Sequence, residues 1–234
     1  MVKIAFFVEG QTERIFLEKL LDSYFTHPYF NIESIQLVED KATIITKANY
    51  DHEEVKLYFL IFDVMRDGNV NGAILERSEN LINRSGYSHI IGIRDLYPNP
   101  PRLLPQMVAD FNEIFREREF FNKLTQIIAV MEVEAWFIAD YEHFIRMDAS
   151  LRTSWLNDIL DIKLETDNIE SYSHPSQIIF KIWRLVGKTY KKRESDSWSI
   201  CSHLDYLKYC SNDEFFKRIP SYARLINKID ELTK

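Results

Sequence analysis

Apolar positions recur along the chain in two different rhythms. KIAFFV (3–8) is a continuous apolar run of strand length that stops at Glu9-Gly10, as a strand buried on both faces would. From Thr12 the period lengthens. Phe16, Leu17, Leu20, Leu21 and Tyr24 share one helical face, Thr12 is placed to cap the helix, and His27-Pro28 marks its stop. KLYFLIFDV (56–64) and SHIIGIRDLYPNPP (88–101) repeat the buried-strand pattern. SIQLVE and ATIITK are shorter strand candidates, of which the main sheet needs only one, and DGNV (67–70) reads as a turn. Helical spacing returns over 71–85 and from Leu103 to Arg118, and TQIIAVMEVEAWFIADY (125–141) reads as a strand passing into a helix. The resulting β-α-β-α-β order predicts an α/β fold: a mostly parallel, Rossmann-like sheet flanked by helices. From about Tyr141 the pattern is helical and no Gly/Ser-rich or Pro-rich hinge intervenes. The expected organisation is an α/β domain over residues 1–140 with a helical C-terminal subdomain, 141–234, packed on it.

Three of these strands end in an acid: Glu9, Asp63 and Asp95. In an open parallel sheet the carboxyl ends of neighbouring strands converge on one crevice, so the pattern predicts a carboxylate cluster built from distant segments. Such a cluster repels itself unless a cation or protons compensate it, and hard oxygen donors suit Mg²⁺ or Mn²⁺ rather than zinc. The plainer alternative is that each acid only terminates its strand. Within MEVEAWFIADY, Glu132 and Glu134 lie two apart, on one face if the segment is a strand and apart if it is a helix. Glu134 either edges the metal site or caps the helix that carries Trp136.

Composition narrows the function classes. The 234 residues are 46% hydrophobic and carry a formal net charge of -7, which argues against a protein that coats nucleic acid through charge alone. Cys201 and Cys210 are too few for a disulfide framework and read as free thiols. The N-terminal apolar run is too short for a signal sequence and no stretch is long enough to span a bilayer, so a cytoplasmic protein without membrane partners is expected. His27, His52, His89, His143, His174 and His203 show no zinc-ligand spacing, and no P-loop pattern occurs, so an energy source would belong to a partner.

FFVEGQTE, a strand followed by Glu-Gly-x-Thr-Glu and a helix, resembles the first motif of the Toprim (topoisomerase-primase) superfamily. Together with IIGIRDLYP and VMEVEAWFIADY, it is similar to small stand-alone Toprim-like proteins of bacteria and archaea that are found beside ATPases. The resemblance covers roughly the first 140 residues. It implies that Glu9 is a metal ligand or general acid/base and that Asp95 is the principal Mg²⁺ (or Mn²⁺) ligand, with Glu13 orienting the motif. The family pattern places a second Asp two residues on, where this chain has Tyr97. Asp63 and Glu134 are the candidates to fill that gap.

The C-terminal third adds a basic run in which Lys188, Lys191, Lys192 and Arg193 stand beside Trp183 and Tyr190. Such a run is either a solvated face or a surface that holds phosphates and stacks a base. The resemblance therefore implies a Mg²⁺-dependent nuclease-like component acting on DNA or RNA in a prokaryotic defence or nucleic-acid-processing system, with an ATPase partner. The alternative is a catalytically degenerate Toprim-like module that binds a partner protein or a nucleotide. An oligomer is compatible with either.

Overall fold

The computed structural model describes residues 1–38, 41–47, 54–65 and 70–234. His52 and the Asp67-Gly68-Asn69 part of the expected turn lie outside the described residues. Six strands, β1 (Val2–Val8), β2 (Phe30–Val38), β3 (Lys41–Lys47), β4 (Leu57–Asp63), β5 (His89–Asp95) and β6 (Leu124–Ala129), form one sheet in the order β3-β2-β4-β1-β5-β6. Every pairing is parallel except β2 with β3. Both short strand candidates thus enter the sheet, β3 as its antiparallel edge.

Side chains of β1 alternate between two cores, as the two-residue repeat of a strand requires. Ile4, Phe6 and Val8 face one core and Ala5 and Phe7 the other. The second core is closed by α2 (Val70–Glu79), which runs into a π-helical turn at Asn80–Arg84, and by α3 (Leu104–Phe115). Gly92 allows α2 its close approach to β5, because a Cβ there would lie 2.8 Å from Ile74 Cδ1 and 3.1 Å from Val70 Cγ1.

The first core is larger. It is covered by α1 (Gln11–Tyr24) and by the helices that follow β6: α4 (Glu134–Ala139), α5 (Glu142–Met147), α6 (Thr153–Leu160), α7 (Pro175–Leu185), α8 (Glu194–Cys201), α9 (Tyr206–Ser211), α10 (Asp213–Arg218) and α11 (Pro220–Thr233). Phe16 of α1 is the hub, with ring centroids of Trp136, Phe137, Tyr206, Tyr209 and Tyr222 within 5.3–6.1 Å. Buried polar atoms within this aromatic cluster are paired, as they must be to offset desolvation. The Trp136 indole N–H donates to Ser221 Oγ at 2.8 Å, and the Tyr209 hydroxyl donates to the Trp136 carbonyl at 2.8 Å. One apolar core therefore runs from the sheet through α1 to α11.

Candidate metal centre

Glu9 follows β1 directly, and the chain turns at Gly10 into α1, so the first turn of that helix stands over the carboxyl edge of the sheet. Gly10, not Thr12, is the N-cap. Thr12 lies inside the first turn, where its hydroxyl shares a 2.8 Å hydrogen bond with Ser197 of α8. Glu9, Glu13, Asp95, Glu134 and Lys192 line a cavity of about 240 Å³ at this edge.

Of the expected ligands, the structure brings Asp95 and Glu134 together and adds Glu132. One carboxylate oxygen from each of the three lies within 4.8 Å of the others. Asp95 ends β5, and its Oδ1 accepts the Val133 N–H at 2.9 Å, which fixes the turn from β6 into α4. That turn sets Glu132 before the helix and Glu134 in its first turn, so neither the strand nor the helix expectation alone describes the pair. Glu132 is held by the backbone N–H and hydroxyl of Ser176, each at 2.9 Å. Glu134 is fully buried. Its Oε1 accepts the Tyr190 hydroxyl at 2.7 Å, while its Oε2 is buried with no hydrogen-bond partner among the described residues.

Asp63 stands apart from this cluster. β4 and β5 flank β1 on opposite sides, about two strand spacings or roughly 9.5 Å apart. Neighbouring residues of α1 face opposite ways across that gap. Arg14 reaches Asp63, with Nε 3.4 Å from Oδ2, whereas Glu13 lines the cavity with Asp95. Asp63 is also bonded by the Met65 N–H at 3.1 Å and is fully buried, so among the described residues its carboxylate pairs with an arginine and does not join the three converging acids. Tyr97, where the family pattern has an acid, is exposed and packs edge-on against His174.

The basic run also divides. Lys188, Lys191 and Arg193 are exposed. Lys192 turns its ammonium into the acidic cluster, 2.9 Å from Glu132 Oε1 and 3.0 Å from Glu134 Oε1. Trp183 and Tyr190 are buried and pack against each other at 5.4 Å, so neither ring is offered to a base. The amphipathic pattern of α7 was the signal for this, since its apolar side carries Ile179, Ile182 and Trp183 into the core. Nothing in the spacing of the basic residues pointed Lys192 inward.

The electrostatics follow from burial and crowding. Burial first, then the nearby Glu134 and Glu9 carboxylates, raise the Glu13 pKa to about 8. Burial and the Glu13 and Glu134 charges also hold Asp95 well above the usual carboxylate range. Burial acts upward on Glu132 too, but the Lys192 charge and the Ser176 bonds outweigh it and leave that carboxyl below its ordinary value. The same carboxylates raise Lys192 against its own desolvation, so its ammonium stays protonated. Glu9, also on the cavity wall, lies with Oε1 3.4 Å from Arg94 Nε. Met65, Met131 and Lys192 adopt positive φ of 54°, 63° and 54° beside these groups. Backbone outliers of this kind persist where the surroundings over-determine them, commonly at functional sites.

A pH dependence follows. Between pH 4.5 and about 8 folded Glu13 keeps a proton that the unfolded chain releases, so stability should fall as pH rises through that window. Urea melts in chelator at pH 5, 6.5 and 8 should show this decline, and Glu13→Gln should flatten it. An unchanged slope in the variant would mean that Glu13 is not the group responsible.

The three converging oxygens suit a small hard cation. In octahedral coordination, bonds of about 2.0–2.1 Å set trans oxygens about 4.2 Å and cis oxygens about 3 Å apart, so three oxygens within 4.8 Å of one another would close in further around a bound ion. The orphaned Oε2 of Glu134 supplies a donor with nothing else to satisfy it. Among the described residues no helix is long and apolar enough to cross a membrane. Comparison with curated proteins and with solved structures found no match. A family profile does match, over residues 8–219, a span that includes the first turn of α1, the acidic cluster and the Lys192 segment. The chain belongs to the family described as domain of unknown function (DUF4276).

Proposed function

We propose that the acidic cluster binds Mg²⁺ or Mn²⁺ and that the protein is a nuclease-like phosphodiester hydrolase acting on DNA or RNA. The observation that carries this reading is the convergence of carboxylate oxygens of Asp95, Glu132 and Glu134 within 4.8 Å of one another, beside a buried Glu134 Oε2 with no hydrogen-bond partner among the described residues. Asp95, Glu132 and Glu134 would hold the ion, which when bound polarises the scissile phosphate and lowers the pKa of an attacking water. Glu13, which burial and the Glu134 and Glu9 charges raise to about 8 in the cation-free site, lines the same cavity and is the candidate to deliver a proton to a leaving oxygen. Glu9, on the cavity wall, remains the candidate base, oriented by Arg94. The Toprim resemblance of FFVEGQTE adds the expectation of a prokaryotic defence or nucleic-acid-processing role beside an ATPase partner.

A second reading, a catalytically degenerate module that binds a partner protein or a nucleotide, draws on one observation. Lys192 already supplies a positive charge to Glu132 and Glu134. The discriminating experiment incubates the protein with single-stranded DNA, duplex DNA and RNA in Mg²⁺, in Mn²⁺ and in chelator. The nuclease reading expects cleavage that requires the ion; calorimetry showing no affinity for either ion would defeat it.

A further inference from the structure

Residues 186–193 link α7 to α8 without helix or strand geometry, and they bring Lys192 over the acidic cavity. Gly187 and Lys192 both have positive φ, 71° and 54°, a conformation that glycine adopts freely and lysine does not. The neighbourhood compensates for this at Lys192. Its carbonyl accepts the Gln11 side-chain amide at 2.8 Å, and the Asp196 carboxylate accepts the N–H groups of Lys191 and Arg193 at 2.8 and 3.2 Å. The backbone is therefore pinned on both sides of the residue while the side chain, a flexible four-carbon stem, is about two-fifths exposed. Its ammonium touches two of the three carboxylates that form the cation-binding triangle. An ammonium and a divalent cation on the same two carboxylates would stand a few ångströms apart and repel strongly in this partly desolvated site.

We propose that Lys192 is the resident counter-ion of the cluster in the cation-free protein, and that a divalent cation bound by Asp95, Glu132 and Glu134 displaces its ammonium towards the cavity mouth. This inference rests on the metal-binding reading and adds an exchange to it. The pinned backbone keeps the strap in place, so only the side chain needs to move. Once displaced, the ammonium moves to the solvent that already reaches about two-fifths of its side chain, and the cluster exchanges one internal positive charge for the two of the ion.

The test uses the intact wild-type chain and one variant. A brief pulse of acetic anhydride, read by peptide mass spectrometry with and without Mn²⁺, should show acetylation of Lys192 rising several-fold with the ion. Exposed Lys188 and Lys191 serve as internal controls that should not change. Calorimetry should show Lys192→Met binding Mn²⁺ at least tenfold more tightly than wild type, because no ammonium has to leave; far-ultraviolet circular dichroism checks that the variant is folded. Mn²⁺ binding to wild type with no change in Lys192 reactivity overturns the exchange and leaves the metal site standing, as does equal or weaker binding by a folded variant. Mn²⁺ binding by the variant alone overturns the exchange, because the lysine then holds the carboxylates against the ion instead of yielding to it. Absence of Mn²⁺ binding in both proteins overturns the exchange together with the metal-binding reading.

Discussion

Glu134→Gln should weaken divalent-cation affinity by at least about 100-fold, since removal of an outer-shell partner alone typically costs 10–100-fold. The substitution preserves shape. A glutamine oxygen can still accept the Tyr190 hydroxyl where Glu134 Oε1 does now, at 2.7 Å. What changes is the second atom, because an amide nitrogen replaces Oε2 in a buried position that offers no hydrogen-bond partner. A donor there cannot bind a cation and is itself unsatisfied, at a cost of about 1–3 kcal/mol. Part of that cost is offset by relief of the repulsion among Glu134, Glu13 and Asp95. The melting temperature in chelator should therefore shift only modestly while calorimetric Mg²⁺ or Mn²⁺ binding collapses. Tyr190→Phe gives the graded control. It removes the partner of a ligand rather than the ligand, so affinity should fall about 10–100-fold and less than in Glu134→Gln. A Glu134→Gln protein that binds the ion as wild type does would place the site elsewhere.

Much of the scaffold behind this prediction was legible in the chain. The continuous apolar runs at 3–8, 56–64 and 88–95 became three adjacent central strands because only strands covered on both faces tolerate such runs. Acids at their carboxyl ends marked the right edge of the sheet, and Asp95 and Glu134 meet there. Three-dimensional features account for the rest. Asp63 has the same position on its strand as Asp95 has on its own, but it lies beyond β1 and faces Arg14. The chain order gives no warning that Arg14 and Glu13, adjacent in sequence, answer different strands. Lys192 was legible only as part of a basic run, because the strap that carries it has no period from which a facing direction can be read. Its inward turn depends on Gln11, 181 positions away.

Arg14→Met should cost about 3–5 kcal/mol of folding stability, the usual penalty for removing one partner of a buried ion pair. Arg14 is 2% exposed and joins three elements: Glu18 one turn along α1 at 3.1 Å, Asp63 of β4 at 3.4 Å and Glu194 at the start of α8 at 3.0 Å. Glu194 is half exposed and can turn to water, whereas Asp63 is fully buried and, among the described residues, retains only the Met65 N–H. Burial already raises the Asp63 pKa, and the Met65 bond and Arg14 act against that rise. Without the arginine it rises further. The sign of the pH effect follows: above the folded-state pKa the fold must bury an ionised Asp63, and below the unfolded value both states hold the proton. The penalty in Arg14→Met should therefore be largest near neutral pH and shrink as pH falls towards 4. At about 2–4 °C per kcal/mol for a chain of this size, the melting temperature should drop by roughly 10 °C at pH 7. Arg14→Met/Asp63→Asn should recover part of the loss, because the buried charge that caused it is gone. Equal melting temperatures for the single and double variants would locate the cost in the lost packing of the arginine stem instead. The same cycle bears on the cation site. If Asp63 were a ligand, Asp63→Asn would reduce Mn²⁺ affinity, whereas a residue committed to Arg14 should alter stability and leave ion binding unchanged.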